Sequence, residues 1–506
     1  MKTEREDLMD AVNEWLRLIG DGAVHALLQP FYYIALIVIA VLYIRGTNME
    51  RRLFHVRLHA WQLLLGRTIV AGLAVGLALS GVSVLLGASL TAEAALWLWG
   101  AAAVLALLRL RYLCFAYAAG ALALLQWALG FGALEERGDW LGSAASSLAA
   151  VDMPAVLLLV ALLHGAEALL VRRQGAKFAT PLFMEGKRGK LIGAYRMQGY
   201  WAVPLLLLVP ASSGGVLLPW TPLLPLLSGE HSAGGGGGWS FAAVPMIIGF
   251  TEWTRSQLPE RKARQAAKSL LGYSIAVAAA ALAAAWLPEL LPLAALVALL
   301  LHELLIWSSG RKESEGTPLF VHDGQGLMVL GVVPGTPAAM MGLQSGEVLY
   351  KVNGMRVRSK EELYDALHRN SAFCKLEVLN REGHQRFVQR ARYAGEHHQL
   401  GVILAPDDHA EYYVEPSPGS LLALLFSGRA AYRRETGYGQ AGGMAAMEQA
   451  AALALPSGAA TEEASPAEAL QADGSRADAN KSDDDSTVVR EAAEGEPPLP
   501  SRSRRK

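Results

Sequence analysis

A chain of 506 residues with 45 Lys and Arg against 46 Asp and Glu carries a formal net charge of −1, so no overall field draws it to nucleic acid. Hydrophobic residues make up 52% of it and are gathered in long runs before about residue 310, which excludes a wholly water-soluble protein. Its two cysteines, Cys114 in an apolar run and Cys374 in the polar half, exclude a disulfide framework.

Residues 1–25 read as a polar, amphipathic lead. No basic stretch precedes the first apolar run, so a secretory signal is not expected. In "MDAVNEWLRLIG" (9–20), Met9, Val12, Trp15, Leu16 and Ile19 share one helical face, as in a helix lying along a membrane surface or an ordinary amphipathic lead. Residues 26–310 read as a polytopic membrane domain. A hydrocarbon core of about 30 Å needs roughly 20 apolar residues as a helix. Runs of that kind lie near 26–44, 69–90, 92–108, 112–133, 154–171, 200–218, 270–287 and 290–308. A shorter run, "WSFAAVPMIIGF" (239–250), is a further candidate. All are expected as helices, because lipid offers the backbone no hydrogen-bond partner and the runs are too long for barrel strands. The expectation is therefore about 8–9 transmembrane helices.

Short loops rich in Lys and Arg lie at 45–67, at Arg109 with Arg111, at 172–196, at 255–268 and at Arg311 with Lys312. The segments between them carry Glu135, Glu136, Asp139, Asp152, Glu230 and Glu289. The alternation is regular if 239–254 crosses the membrane, and it then places everything after Arg311 in the cytoplasm. Gly72-xxx-Gly76 is a small-residue pattern that lets helices approach. Two stretches look alike: "LLHGAEALLVRRQGAKFATPLF" (162–183) and "LLHELLIWSSGRKESEGTPLF" (300–320). Each has Leu-Leu-His, an acid within three residues, a basic exit and Thr-Pro-Leu-Phe. If they are an internal repeat, both helices leave the membrane in one direction, which needs an odd number of crossings between them; three fits.

The intramembrane polar residues are His164, Glu167, His302 and Glu303. Ionisable groups inside a membrane are functional by default. Zinc proteolysis on one helix needs His-Glu-x-x-His, and Ile306 stands where the second His belongs, with Ala168 in the earlier copy. No catalytic residue, metal set or cofactor is therefore expected, and structural pairing near the cytosolic interface is the favoured reading of the four.

Residues 317–405 read as a small α/β domain. "GLMVLGVV" (326–333) is a buried strand, Pro337 starts one helical turn and Gly342 stops it. "SGEVLYKVNG" is a strand ending in the turn signal Asn353-Gly354. "SKEELYDALHRN" (359–370) is a helix whose Ser359 and Glu362 make a capping box and whose inner face is Leu363, Ala366 and Leu367. Two strands follow around Arg381-Glu382-Gly383, then a last one in "HHQLGVILAP". This order, with Pro-Ala, Gly-Leu, Gly-Glu and Val-Asn-Gly elements in sequence, resembles a bacterial-type PDZ domain. The resemblance implies a sandwich or partly open barrel with two helices, in which a peptide adds as a strand at a sheet edge beside a helix. Its peptide-binding residues would be Leu400, Gly401, Val402 and Ile403, with Leu363 and Leu367 on the helix; Gly326-Leu327-Met328 is the competing loop. From 416 to 506 the composition is low in complexity and a disordered tail is expected.

The whole architecture, with "RGKLIGAYRMQGYWAVPL", "NSAFCKLEVLNREG" and "HHQLGVILAPD", resembles the MinJ family of Gram-positive bacteria. That resemblance implies a non-catalytic membrane adaptor of division-site selection. It would link the curvature-sensing protein DivIVA, at poles and young septa, to the ATPase MinD, and so restrain division-ring assembly. The implied partners are these proteins, other division proteins, the lipid bilayer and further copies of itself, with no nucleic acid. The implied location is the bacterial cell membrane, enriched at septa and poles. The alternatives are a PDZ-regulated membrane protease and a transporter or receptor built on the His and Glu pairs.

Overall fold

A computed structural model describes residues 2–86, 90–132, 138–186, 189–210, 238–370, 372–391, 400–407, 412–414 and 432–434. Apart from 432–434, the tail expected at 416–506 lies outside them, as do the side chains of Met9 and Val12. The N-terminal part is a bundle of α1 (Lys2–Leu28), α2 (Pro30–Phe54), α3 (Trp61–Leu86), α4 (Ala92–Leu108), α5 (Phe115–Leu129), α6 (Trp140–Ala149), α7 (Met153–Gln174), α8 (Pro259–Trp286) and α9 (Leu291–Glu315). Among the described residues, 5 helices are long and apolar enough to cross a membrane: α2, α3, α7, α8 and α9. Helices α4 and α5 are shorter apolar helices. Local chemistry sets several of the starts: Thr91, Asp139 and Asp152 accept hydrogen bonds from the first-turn N–H groups of α4, α6 and α7. Helix α7 is the central element, with 67% of its apolar window buried against its neighbours.

Two of the expected spans are not helices. β1 (Ala179–Glu185), β2 (Leu191–Pro210) and β3 (Trp239–Thr254) form one antiparallel sheet in that order. The runs expected as spans at 200–218 and 239–250 fall on β2 and β3, with 211–237 outside the described residues. Residues 200–210 pair with 239–249. At about 3.3 Å per residue that length matches the roughly 30 Å of a hydrocarbon core. Tyr200, Trp201 and Trp239 are bulky aromatics, and Pro204 and Pro245 are poor in the middle of a helix. The two prolines face each other across the ladder. Tyr200 and Leu206 turn their N–H groups away from β3, towards Tyr43 and Ser80. Pro204, in phase with both, therefore removes no bond from the ladder.

An open strand edge inside an apolar bundle must find partners within the protein. Tyr43 on α2 does this for Tyr200, accepting from its N–H at 3.1 Å and donating to its carbonyl at 3.3 Å. Ser80 on α3 accepts from Leu206 N–H at 2.9 Å while donating to the Gly76 carbonyl at 2.7 Å. The Leu90 N–H donates to the Leu208 carbonyl at 3.3 Å, and Gln29 reaches the Ala243 carbonyl of β3 at 3.3 Å. Between these contacts α3 lies directly on the strand: a Cβ on Gly72 would collide with the Ala202 carbonyl, and one on Gly76 with that of Pro204. The small-residue pattern thus brings a helix against a strand rather than against a helix.

The N-terminal helix docks on the same hairpin. Trp15 is buried with Leu208 and Trp239, beside Leu18 and Phe241. Leu16 and Ile19, expected on the same face as Trp15, are 62% and 43% exposed.

The C-terminal part holds β4 (Leu327–Val332), α10 (Pro337–Met340), β5 (Val348–Val352), β6 (Met355–Arg356), α11 (Lys360–His368), β7 (Phe373–Leu379), β8 (Gln385–Ala391) and β9 (Val402–Leu404). The sheet order is β8-β7-β5-β4-β9, with β6 on β5. Two helices and this sheet agree with the expected α/β domain. Ser359 accepts from Glu362 N–H, and Glu362 accepts from Arg358 N–H, which is close to the expected capping box. β10 (Tyr412–Val414) pairs with β11 (Tyr432–Arg434), and Tyr413 packs on Leu191 and Phe183.

The two parts are joined by more than the chain. Gly193 N–H donates to the Phe320 carbonyl at 2.8 Å, and the Tyr195 hydroxyl donates to the Leu330 carbonyl. Tyr195, Phe320, Leu330, Ile403 and Ala405 form one buried apolar cluster, and burial pushes the Tyr195 hydroxyl up to about 12. The two Thr-Pro-Leu-Phe copies meet here: Phe183 pairs with Gly193 across β1 and β2, and Phe320 bridges to the same Gly193. Where three helical crossings were expected between α7 and α9, the runs at 200–218 and 239–254 give the strands β2 and β3, and the run at 270–287 falls on α8.

Gly76→Leu should push α3 off β2 and cost about 1–3 kcal/mol or more. Gly81→Leu on the same helix, where an added Cβ meets nothing within 4 Å, is the control. The expected outcome in detergent-solubilised protein is a thermal midpoint several degrees lower for Gly76→Leu only.

Candidate functional site

Strand alternation decides which residues of "LGVIL" can face a ligand. Leu400 and Leu404 are buried in one apolar cluster with Leu363, Ala366 and Leu367 of α11, and Val402 packs against it. Helix α11 therefore runs beside β9, as a groove requires, and Lys360 on it is paired with Asp407 after β9 at 3.1 Å. Ile403 points the other way, into the cluster with Tyr195, Phe320 and Leu330. It belongs to the seam with the membrane part, which corrects its assignment to the groove; successive side chains of a strand cannot share a face.

The same sheet order separates the two candidate loops. β4, which begins after Gly326, lies between β5 and β9, so both its edges are used. Among the described residues β9 is last in the order, with β4 as its one strand partner. The loop before it is shaped by Gly401, whose φ of +82° lies in the left-handed region. The Gly401 carbonyl accepts from Val333 N–H at 2.9 Å, and that of Leu400 accepts from Ala338 N–H at 3.0 Å. A Cβ on Gly401 would run into the Thr336 side chain.

Within the bundle, the four singled-out polar residues lie in one connected group, and further residues join them. His164 on α7 and His302 on α9 stand with ring centroids 5.5 Å apart. Cys114, the residue before α5, places its Sγ 3.3 Å from His164 Nε2 and 3.5 Å from His302 Nε2. The other ring nitrogens are held: His164 Nδ1 lies 2.8 Å from the Val160 carbonyl, and His302 Nδ1 lies 3.1 Å from the Tyr117 hydroxyl. That hydroxyl donates to Glu303 at 2.8 Å, and Glu303 is paired with Arg111 at 2.9 Å. Glu167, one turn after His164, has a carboxylate oxygen 4.0 Å from His164 Nε2. Among the described residues, Cys114, His164 and His302 form the group whose ligand atoms lie close enough, within 4.8 Å, to share a metal ion.

Reading along single helices missed Cys114 and Tyr117. Their signal was the break between α4 and α5 marked by Arg109 and Arg111, which turns the start of α5 towards α9. A close approach of Gly120 to Leu299 holds the two helices together there. Ile306, in the place of a second His on α9, is 38% exposed and lies outside this cluster. A separate buried charge group closes the end of the bundle. Lys262 on α8 lies 3.2 Å from Glu313, 3.4 Å from Glu252 and 2.8 Å from Ser309, and ties α8, β3 and α9 together.

Comparison with known proteins bears on both regions. Residues 328–380 match the PDZ domain family. The chain is 32% identical over 413 residues to "Cell division topological determinant MinJ" of Bacillus subtilis (strain 168), covering 79% of this chain and 98% of that relative. It is 30% identical over 378 residues to "Probable cell division topological determinant MinJ" of Lacticaseibacillus paracasei, covering 72% of this chain and 93% of that relative.

Gly401→Ala should destabilise the C-terminal domain by about 1–3 kcal/mol, through strained backbone and the collision with Thr336. Proteolysis of the full chain should then cut this domain faster, and adding Thr336→Gly, which removes the colliding Cβ as well as the hydroxyl and methyl, should restore part of the protection.

Proposed function

The chain belongs to the MinJ family of cell division topological determinants, and on that premise we propose that it is a membrane adaptor without chemistry of its own. Its PDZ domain takes an extended segment of a partner as an added strand on β9, beside α11. The single observation that carries this reading is the edge position of β9 next to an apolar helix face. The Gly193–Phe320 and Tyr195–Leu330 contacts support it further, because they hold that groove against the membrane part instead of leaving it on a free linker. A bound partner is then fixed close to the bilayer, and the local concentration of anything it recruits rises accordingly.

In this reading the PDZ domain faces the cytoplasm, as the Lys and Arg of the short loops favour. The partners are a curvature-sensing DivIVA-type protein at poles and septa and a MinD-type ATPase, and the link between them restrains ring assembly there. The family relationship and the membrane-held groove support this pairing.

A fluorescent fusion of the full chain should gather at septa and poles and spread evenly over the membrane in cells lacking DivIVA. An even spread in cells that retain DivIVA would overturn the reading. Val402→Glu puts a charge on the groove side of β9; it should reduce capture of partner proteins at least fivefold at an unchanged level of membrane-inserted protein. Unchanged capture would remove the groove from the docking surface.

A further inference from the structure

The cluster at Cys114 has more lone pairs than protons. The Val160 carbonyl can only accept, so His164 Nδ1 carries its hydrogen and Nε2 presents a lone pair. The Tyr117 hydroxyl gives its proton to Glu303, which is paired with Arg111 at 2.9 Å. It therefore accepts from His302 Nδ1–H, and His302 Nε2 also presents a lone pair. Both Nε2 atoms aim at one sulfur. A thiol has one proton and satisfies one of them; the other is an acceptor facing an acceptor at a site where His164 is 4% exposed.

A metal ion removes the conflict. Two neutral imidazoles and a thiolate are a zinc-type ligand set. Tetrahedral bonds of about 2.3 Å to sulfur and about 2.0–2.1 Å to nitrogen put S and N roughly 3.5 Å apart. The observed separations are 3.3 and 3.5 Å. The outer partners also have the usual form, since each ligating imidazole donates its second N–H to a carbonyl or to a hydroxyl backed by a carboxylate. Binding also lowers the ion's charge: the Cys114 proton leaves, and its thiolate offsets one of the two charges of a divalent ion.

We propose that Cys114, His164 and His302 bind a zinc ion between α5, α7 and α9, the three residues whose ligand atoms lie within 4.8 Å of one another. The ion is structural. It ties the α4–α5 break to α9, the helix that runs on to Phe320 and the PDZ seam. This does not rest on the adaptor reading, and its test uses no division readout.

The full chain is purified in detergent from zinc-supplemented cells and its metal measured by mass spectrometry. About one zinc per chain is expected, retained in Cys374→Ser and reduced at least tenfold in Cys114→Ser and in His302→Ala. Cobalt added to metal-stripped chain should give an intense near-ultraviolet thiolate–cobalt band, absent in the near-isosteric Cys114→Ser. A monodisperse wild-type chain with neither zinc nor that band, or a Cys114→Ser chain that keeps its zinc, would overturn the proposal.

Discussion

Every backbone donor and acceptor that enters an apolar bundle must meet a partner there, and the β2–β3 hairpin places most of this architecture under that constraint. Its inner ladder satisfies half of the groups. The outer edge of β2 dictates where the helices stand. Tyr43 fixes α2 at the height of Tyr200, Ser80 fixes α3 at Leu206, and the chain entering α4 is tied to Leu208 through Leu90. Pro204 needs no donor partner, and small residues at 72 and 76 let α3 lie against the carbonyls of Ala202 and Pro204. The helices are therefore placed by polar accounting as much as by apolar packing, which has little sorting power where lipid is as apolar as Leu.

The two similar stretches acquire meaning from the same geometry. Their His residues meet at Cys114, and their Phe residues meet on either side of Gly193. Helices α7 and α9 are thus joined at two levels, once inside the bundle and once at the seam with the PDZ domain. Lys262 adds a third tie between α9, α8 and β3, its buried ammonium facing both Glu252 and Glu313. Breaking such a pair by removing one partner is costlier than forming it is rewarding, so the group specifies geometry more than it adds stability.

How much of this was legible depends on the range of each signal. The PDZ-like order, the capping box at Ser359 and the turn at Asn353-Gly354 are local patterns, and they agree with the structure. The apolar runs were located correctly, but hydropathy does not tell a helix from a strand that is sheltered by helices. Pro204 and Pro245, with the aromatic residues around them, carried the distinction and were outweighed by run length. Ile403 was misplaced because a loop motif was read as one surface, although a strand presents alternate residues to opposite faces. Cys114 is not legible along any single helix; its partners His164 and His302 come from α7 and α9, 50 and 188 positions away in the chain.

The seam explains why a PDZ domain would be built onto a bundle with so many internal ties. A domain on a flexible linker samples a wide volume and gains little from its anchor. Here the groove strand β9 contributes Ile403 to the seam on one face while Val402 and Leu404 line the α11 side on the other. A shift of β9 is therefore opposed directly by Tyr195, Phe320 and the strand β2 that continues into the membrane part. β9 and the bundle therefore share one strand-to-strand path through Ile403 and Tyr195.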